Sequence, residues 1–118
     1  MKIDIISQDS ETQASERARI VSEYEVKPEV LDGWAFIAKA CDGFGYEEWD
    51  WYLVRSPDGT LHENEAGHCS CHGFEEQWEP KPSSVAYLLS DKFGVSGVYD
   101  AEKAEFQAWV GLHLSGLP

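Results

Sequence analysis

Tyr46 to Arg55, YEEWDWYLVR, runs straight into Ser56-Pro57-Asp58-Gly59, and a second run, Thr60 to Glu65, follows. This arrangement predicts an antiparallel hairpin. In an extended strand Trp49, Trp51 and Leu53 share one side, while Glu48 and Asp50 share the other. Pro57 presets the first bend of a type I turn. The tryptophan side reads as core. The side chains of Glu48, Asp50, Glu63 and Glu65 are expected to point to solvent on the paired strands.

The segments around the hairpin read mostly as helices. Ser10-Glu11-Thr12-Gln13 has the spacing of a capping box. Ala14, Ala18, Val21 and Tyr24 follow at helical intervals, predicting a helix over about 11–25. Pro28 and Gly33 mark its exit, and WAFIAKA (34–40) reads as a strand. Met1 to Ser7 is a short strand or a lead-in, and Cys41 to Gly45 has turn chemistry. Two prolines keep Trp78 to Pro82 extended. Ser83 or Ser84 caps a helix with Val85, Leu88, Leu89 and Phe93 on one side. Asp100 caps a last helix with Phe106, Trp109, Val110 and His113 at core spacing. Phe106, Trp109 and Val110 are expected on the sheet face that carries Trp49 and Trp51. The reading is a single α+β domain, 1–118. It has an antiparallel β-meander or hairpin in the middle, an N-terminal helix and two C-terminal helices.

Charge narrows the function. Twenty-two acids against nine bases give a formal net charge of −13. Such a field disfavours direct contact with nucleic acid or anionic membranes and attracts basic protein surfaces. Between residues 41 and 80 there are ten acids and one base, Arg55. The N-terminus carries no signal-peptide pattern and no stretch approaches a membrane span, so a cytoplasmic protein is expected. Three cysteines fit reduced thiols.

Two cysteines and two histidines crowd into His68-Cys69-Ser70-Cys71-His72. Structural zinc sites pair C-x₂₋₄-C with a distant second pair, and C-x-C in one short loop fits that poorly. No resident cofactor is therefore expected. If zinc is held, Cys69 and Cys71 are ligands, with His62 or Cys41 completing the site. A cysteine-dependent enzyme using Cys69 or Cys71 is a third reading. Surrounding carboxylates oppose it, because like charge raises a thiol pKa. No acid/base pair or phosphate-binding glycine loop is evident, so the chain reads as a non-enzyme.

The acidic residues offer a sharper reading. Side chains two apart on a strand lie ~6–7 Å from each other, similar to the charge spacing of a nucleic-acid backbone. Partners of nucleic acid carry Lys and Arg grooves. Glu47, Glu48, Asp50, Glu63, Glu65, Glu75, Glu76 and Glu79 are the candidate contacts. Trp78, between acids in a Pro-rich loop, is the candidate exposed anchor.

The run from Gly45 through Trp49, Trp51 and Arg55, then Asp58-Gly59, then Gly67-His68-Cys69-Ser70-Cys71-His72-Gly73, resembles small uncharacterised phage and prophage accessory proteins. These carry a hairpin followed by a G-x-C-S-C-type motif. The resemblance covers about residues 45–90 and transfers no site residue. It implies a phage-type small accessory protein. By analogy of size and charge with acidic phage proteins that imitate DNA, the leading reading is a phage-type inhibitor acting in the host cytoplasm on a basic nucleic-acid-binding protein, of the anti-CRISPR or anti-restriction kind. The alternative is a small zinc-stabilised module.

Overall fold

A computed structural model describes residues 1–44, 47–68 and 73–117, with the backbone alone described at 43, 44 and 47. The hairpin lies at the centre of a five-stranded antiparallel sheet whose spatial order follows the chain. Its strands are β1 (Asp4–Ile5), β2 (Ala35–Phe44), β3 (Glu47–Arg55), β4 (Leu61–His68) and β5 (Lys81–Pro82). Helix α1 (Ser10–Glu23) precedes β2, and α2 (Val85–Leu88) and α3 (Asp100–His113) follow β5. The architecture is the α+β meander that the hydrophobic periods indicate. The connecting turn closes through Gly59 N–H donating to the Ser56 carbonyl at 2.9 Å. Gly59 takes φ 93°, a conformation that favours glycine.

Both faces of the sheet are covered. On one, Ala38, Ala40, Trp51, Leu53 and Leu61 pack against Leu88, Phe93, Phe106, Val110 and Leu114. On the other, Phe36, Tyr52, Val54 and Ala66 pack against Ile20, Tyr24, Leu31 and Phe74. β3 is therefore buried on both sides, and helices form the outer layers. Trp51 meets Phe106 edge to face at 5.7 Å, as expected for the last helix. Trp49 lies across from Gly67 in register. A methyl group at 67 would overlap its indole ring.

The caps of α1 and α3 differ from the expected ones, whereas that of α2 is as expected. Asp9, not Ser10, caps α1, accepting from Thr12 N–H at 2.7 Å. A carboxylate is the stronger acceptor, and it lies one residue earlier. Gln13 is thereby released to bridge α1 and β2. Its Oε1 accepts from Phe36 N–H at 2.8 Å, and its Nε2 donates to the Phe36 carbonyl at 2.8 Å. The β2–β3 register slips between Phe36 and Ala38. Gln13 thus pairs the backbone of Phe36 at the irregularity. Ser84 caps α2, accepting from Tyr87 N–H. Tyr99 takes the cap position of α3 with no side-chain bond, so Asp100 is the first helical residue rather than the cap. His113 and Leu89 are exposed rather than core, beyond the strip that Phe106, Val110 and Leu88 bury.

Candidate partner-binding groove

The acidic residues fall into two groups because alternation sends neighbours to opposite faces. Glu63 pairs with Leu53 and Glu65 with Trp51, on the α3 side. Glu48 pairs with His68 and Asp50 with Ala66, on the α1 side. The four do not form one surface, contrary to expectation.

Asp50 is the clearest correction. It is 1% exposed. It accepts from Tyr24 Oη at 2.8 Å and pairs with Arg19 at 2.7 Å. Arg19 also donates to Tyr52 Oη, which in turn donates to Glu16 at 2.7 Å, and Glu16 pairs with Lys39. This network fastens α1 to the sheet. Glu48 is half-buried near His68, 3.6 Å away. Trp78 is no exposed anchor. The chain after Gly73 folds back over the α1 face, and Trp78 meets Tyr24 edge-on at 5.6 Å and Tyr52 at 6.1 Å. Its acidic neighbours masked a partly buried tryptophan that packs against the core.

The other group converges. Glu63, Glu65, Glu76 and Glu79 line one groove of about 560 Å³, with Gln77, Lys81 and Tyr87. β4 supplies the first two and β5 supplies Lys81, opposite Glu63 in register. The loop after Gly73 supplies Glu76, Gln77 and Glu79, and α2 supplies Tyr87. Gln77 fixes this loop to β4, its Oε1 accepting from Gly67 N–H at 2.8 Å and its Nε2 donating to the Gly73 carbonyl at 3.1 Å. Glu76 adopts φ 66°, an uncommon left-handed conformation for a non-glycine residue. Glu79 N–H donates to Asn64 Oδ1 at 2.7 Å, which anchors the far end of the loop.

The carboxylates are not equivalent. Glu63 is engaged, accepting from Trp51 Nε1 at 3.0 Å and from Ser83 Oγ at 2.7 Å. Glu65 is exposed as a residue, and partial desolvation of its carboxyl followed by repulsion from Glu63 pushes its pKa up. A bound cation would relieve that repulsion. Tyr87 is pushed up as well, by desolvation and then by Glu63 and Glu65. Glu75 is turned back toward the Gly73 N–H and does not line the groove. Lys81, Gln77 and Tyr87 were not singled out in the sequence, and no local pattern marks them.

The Glu47 side chain, Cys69 and Cys71 lie outside the described residues. Among the described residues, no three histidine, cysteine or carboxylate side chains gather closely enough to hold a metal ion. His62 packs on Trp34 at 5.1 Å. Cys41 lies in register with Asp50 and, through it, Ala66. Ala66 is four residues from His62, ~13 Å along a strand. Cys41 and His62 therefore belong to different places.

Cys41 is exposed as a residue, but partial desolvation of its thiol and then the Asp50 charge push the thiol up to about 12 from 9.0. Burial likewise pushes Tyr24 and Tyr52 well above 10.0. The folded state thus holds these protons more tightly than the unfolded chain does. The resulting stability is complete below pH 9 and is lost as pH climbs through 12. Urea unfolding at pH 7, 9, 10 and 11 should show a fall that begins above pH 9. In Cys41→Ala the fall should begin nearer pH 10, where the tyrosines of the unfolded chain ionise. An identical onset in both proteins would remove Cys41 from this linkage.

Among the described residues, no helix is long and apolar enough to cross a membrane. No protein-family model, curated protein or solved structure matches the chain.

Proposed function

We propose that this chain is a small non-enzymatic binding protein whose acidic groove receives a lysine- and arginine-rich surface of a nucleic-acid-binding protein. The observation that carries the reading is the convergence of Glu63, Glu65, Glu76 and Glu79 on one groove in which Lys81 is the only basic lining residue among the described residues. These side chains come from a strand and from the loop after Gly73, and hydrogen bonds from the Gln77 and Asn64 side chains to the backbone hold the loop in place. The net charge of −13 adds long-range attraction. A phage-type inhibitor that occupies the nucleic-acid site of a host protein is the form of this function that suits the charge and size. The mimicry rests on the groove, not on the hairpin face bearing Glu48 and Asp50.

The test compares two triple charge reversals. Glu65→Lys/Glu76→Lys/Glu79→Lys alters the groove. Glu11→Lys/Glu23→Lys/Glu29→Lys makes the same charge change on exposed positions of α1 and the turn after it. The groove variant should lose capture of nucleic-acid-binding proteins from host lysate by about 100-fold or more, near 1 kcal/mol for each lost contact. The control should change it by only a few-fold. Capture by the unaltered protein should weaken steeply with salt and be competed by DNA. Equal capture by both variants, or simultaneous occupation of the partner by DNA and this protein, would refute the proposal.

A further inference from the structure

Among the described residues, one aromatic side chain lines the acidic groove, that of Tyr87. Its neighbour on α2, Leu88, packs in the core on the Trp51 side of the sheet. Register places Glu63 and Glu65 on that same side. Tyr87 is 39% exposed, so its side chain is open to what enters the groove. Phe93 packs against it at 6.0 Å with the planes at 89°, which steadies the ring.

The ring, not the hydroxyl, is what Tyr87 offers. Its Oη donates to the Lys92 carbonyl at 3.4 Å and to neither glutamate. Glu63 and Glu65 are nonetheless near enough to oppose its ionisation. Tyr87 thus stands in the field of both carboxylates without serving as their donor.

The two carboxylates differ in what they have left to give. Glu63 is held on both oxygens, Oε1 by Trp51 and Oε2 by Ser83. Among the described residues no donor holds Glu65, the next residue on the same side of β4. A cation entering here meets a carboxylate and an aromatic ring together. An ammonium is a compact, strongly hydrated charge, and it must shed water to touch the ring. A guanidinium is planar and more weakly hydrated. It pairs with a carboxylate through two parallel N–H···O bonds and also stacks on an aromatic face.

We infer that the groove selects arginine over lysine, a partner guanidinium pairing with Glu65 and stacking on the Tyr87 ring. The inference rests on the reading of this groove as a receptor for a basic surface, and it narrows the partner to an arginine-rich segment. The surrounding acids supply attraction for any base, and Tyr87 sets the preference among bases.

The probes are two peptides of equal length and charge, one alternating glycine with arginine and the other glycine with lysine. Each is titrated into the full chain by calorimetry at physiological ionic strength. The arginine peptide should bind at least about fivefold tighter, a difference of about 1 kcal/mol. Tyr87→Leu should bring the two peptides within about twofold of each other, whereas Tyr87→Phe keeps the ring and should keep the preference. Dimethylation of the arginines keeps their charge but blocks the two-bond pairing, and it should remove most of the advantage. Glu65→Lys/Glu76→Lys/Glu79→Lys should weaken both peptides. Equal affinity of the two peptides for the unaltered protein would overturn the inference while leaving the groove a receptor for bases. So would a preference that survives Tyr87→Leu, one lost in a folded Tyr87→Phe protein, or undiminished binding of the dimethylated peptide. Absence of binding, or binding that ignores the triple reversal, would refute the reading of the groove and the inference together. If Tyr87→Leu fails to fold, NMR of the Tyr87 ring protons in the unaltered protein decides: larger shifts with the arginine peptide support the stacking, and equal or absent shifts refute it.

Discussion

Asp50→Ala should destabilise the protein by ~3–5 kcal/mol, measured as the loss in unfolding free energy in urea at pH 7. Asp50 is 1% exposed and takes both the Arg19 guanidinium and the Tyr24 hydroxyl. Removing one member of a buried pair leaves the other charge without compensation, which is where such losses arise. Arg19 keeps some access to water, with 27% of its side chain exposed, so the loss should sit toward the lower end of that range. Asp50→Asn retains an acceptor for Tyr24 and should cost less. Coupling gives the sharper readout. Arg19→Ala in an Asp50→Ala background should cost well below what it costs alone, since the pair is already broken. Additive losses would mean that the two residues act independently and that the network is incidental. The same substitution separates architecture from function, because Asp50 lies beneath α1 and away from the acidic groove.

Burial of Asp50 was legible in principle from the residues that share its side of β3. Tyr52 and Val54 follow it at alternate positions, and neither belongs on a solvated face. A strand with Trp51 and Leu53 on one side and Tyr52 and Val54 on the other has no open side, so its acid must be enclosed and partnered. The simple in–out alternation obscured this. It also obscured the division of the four hairpin acids, which depends on register: Glu65 opposite Trp51 places it with the tryptophans. The hairpin, α1 and α3 were readable because each depends on local period and turn chemistry. Capping was readable only to within a residue, since Asp9 and Ser10 compete and the released Gln13 finds a tertiary partner in Phe36. Trp78 was misread because proline and glutamate neighbours describe the backbone around it, whereas its burial comes from Tyr24, Phe36 and Tyr52, distant in sequence. The groove was readable as a list of acids and not as a place. Glu76 and Glu79 reach Glu65 only because Gln77 and Asn64 pin the loop across the end of β4.

Trp51→Ala should cost ~3–5 kcal/mol, as aromatic truncations in cores do. Trp51 is wholly buried and holds together the three elements of its core. Phe93 from the segment after α2 lies 5.9 Å from its ring, and Phe106 from α3 meets it at 5.7 Å and 88°. Against a total stability of about 5–15 kcal/mol for a domain, the loss is large enough to unfold a sizeable share of molecules on modest warming. Trp109 is only half-buried, so Trp109→Ala should cost less. Trp51 also reaches toward the acidic groove, because its Nε1–H donates to Glu63. Trp51→Phe keeps most of the ring but removes that donor, leaving Ser83 to hold Glu63. This variant should remain folded by far-UV circular dichroism. Glu63 should then be freer to meet a cation in the groove, so partner capture should be retained or strengthened while stability falls by ~1–2 kcal/mol. An unchanged melting curve for Trp51→Ala would contradict the packing of α3 on the sheet. A folded Trp51→Phe protein that loses capture would show instead that Glu63 must be held by Trp51 to shape the groove.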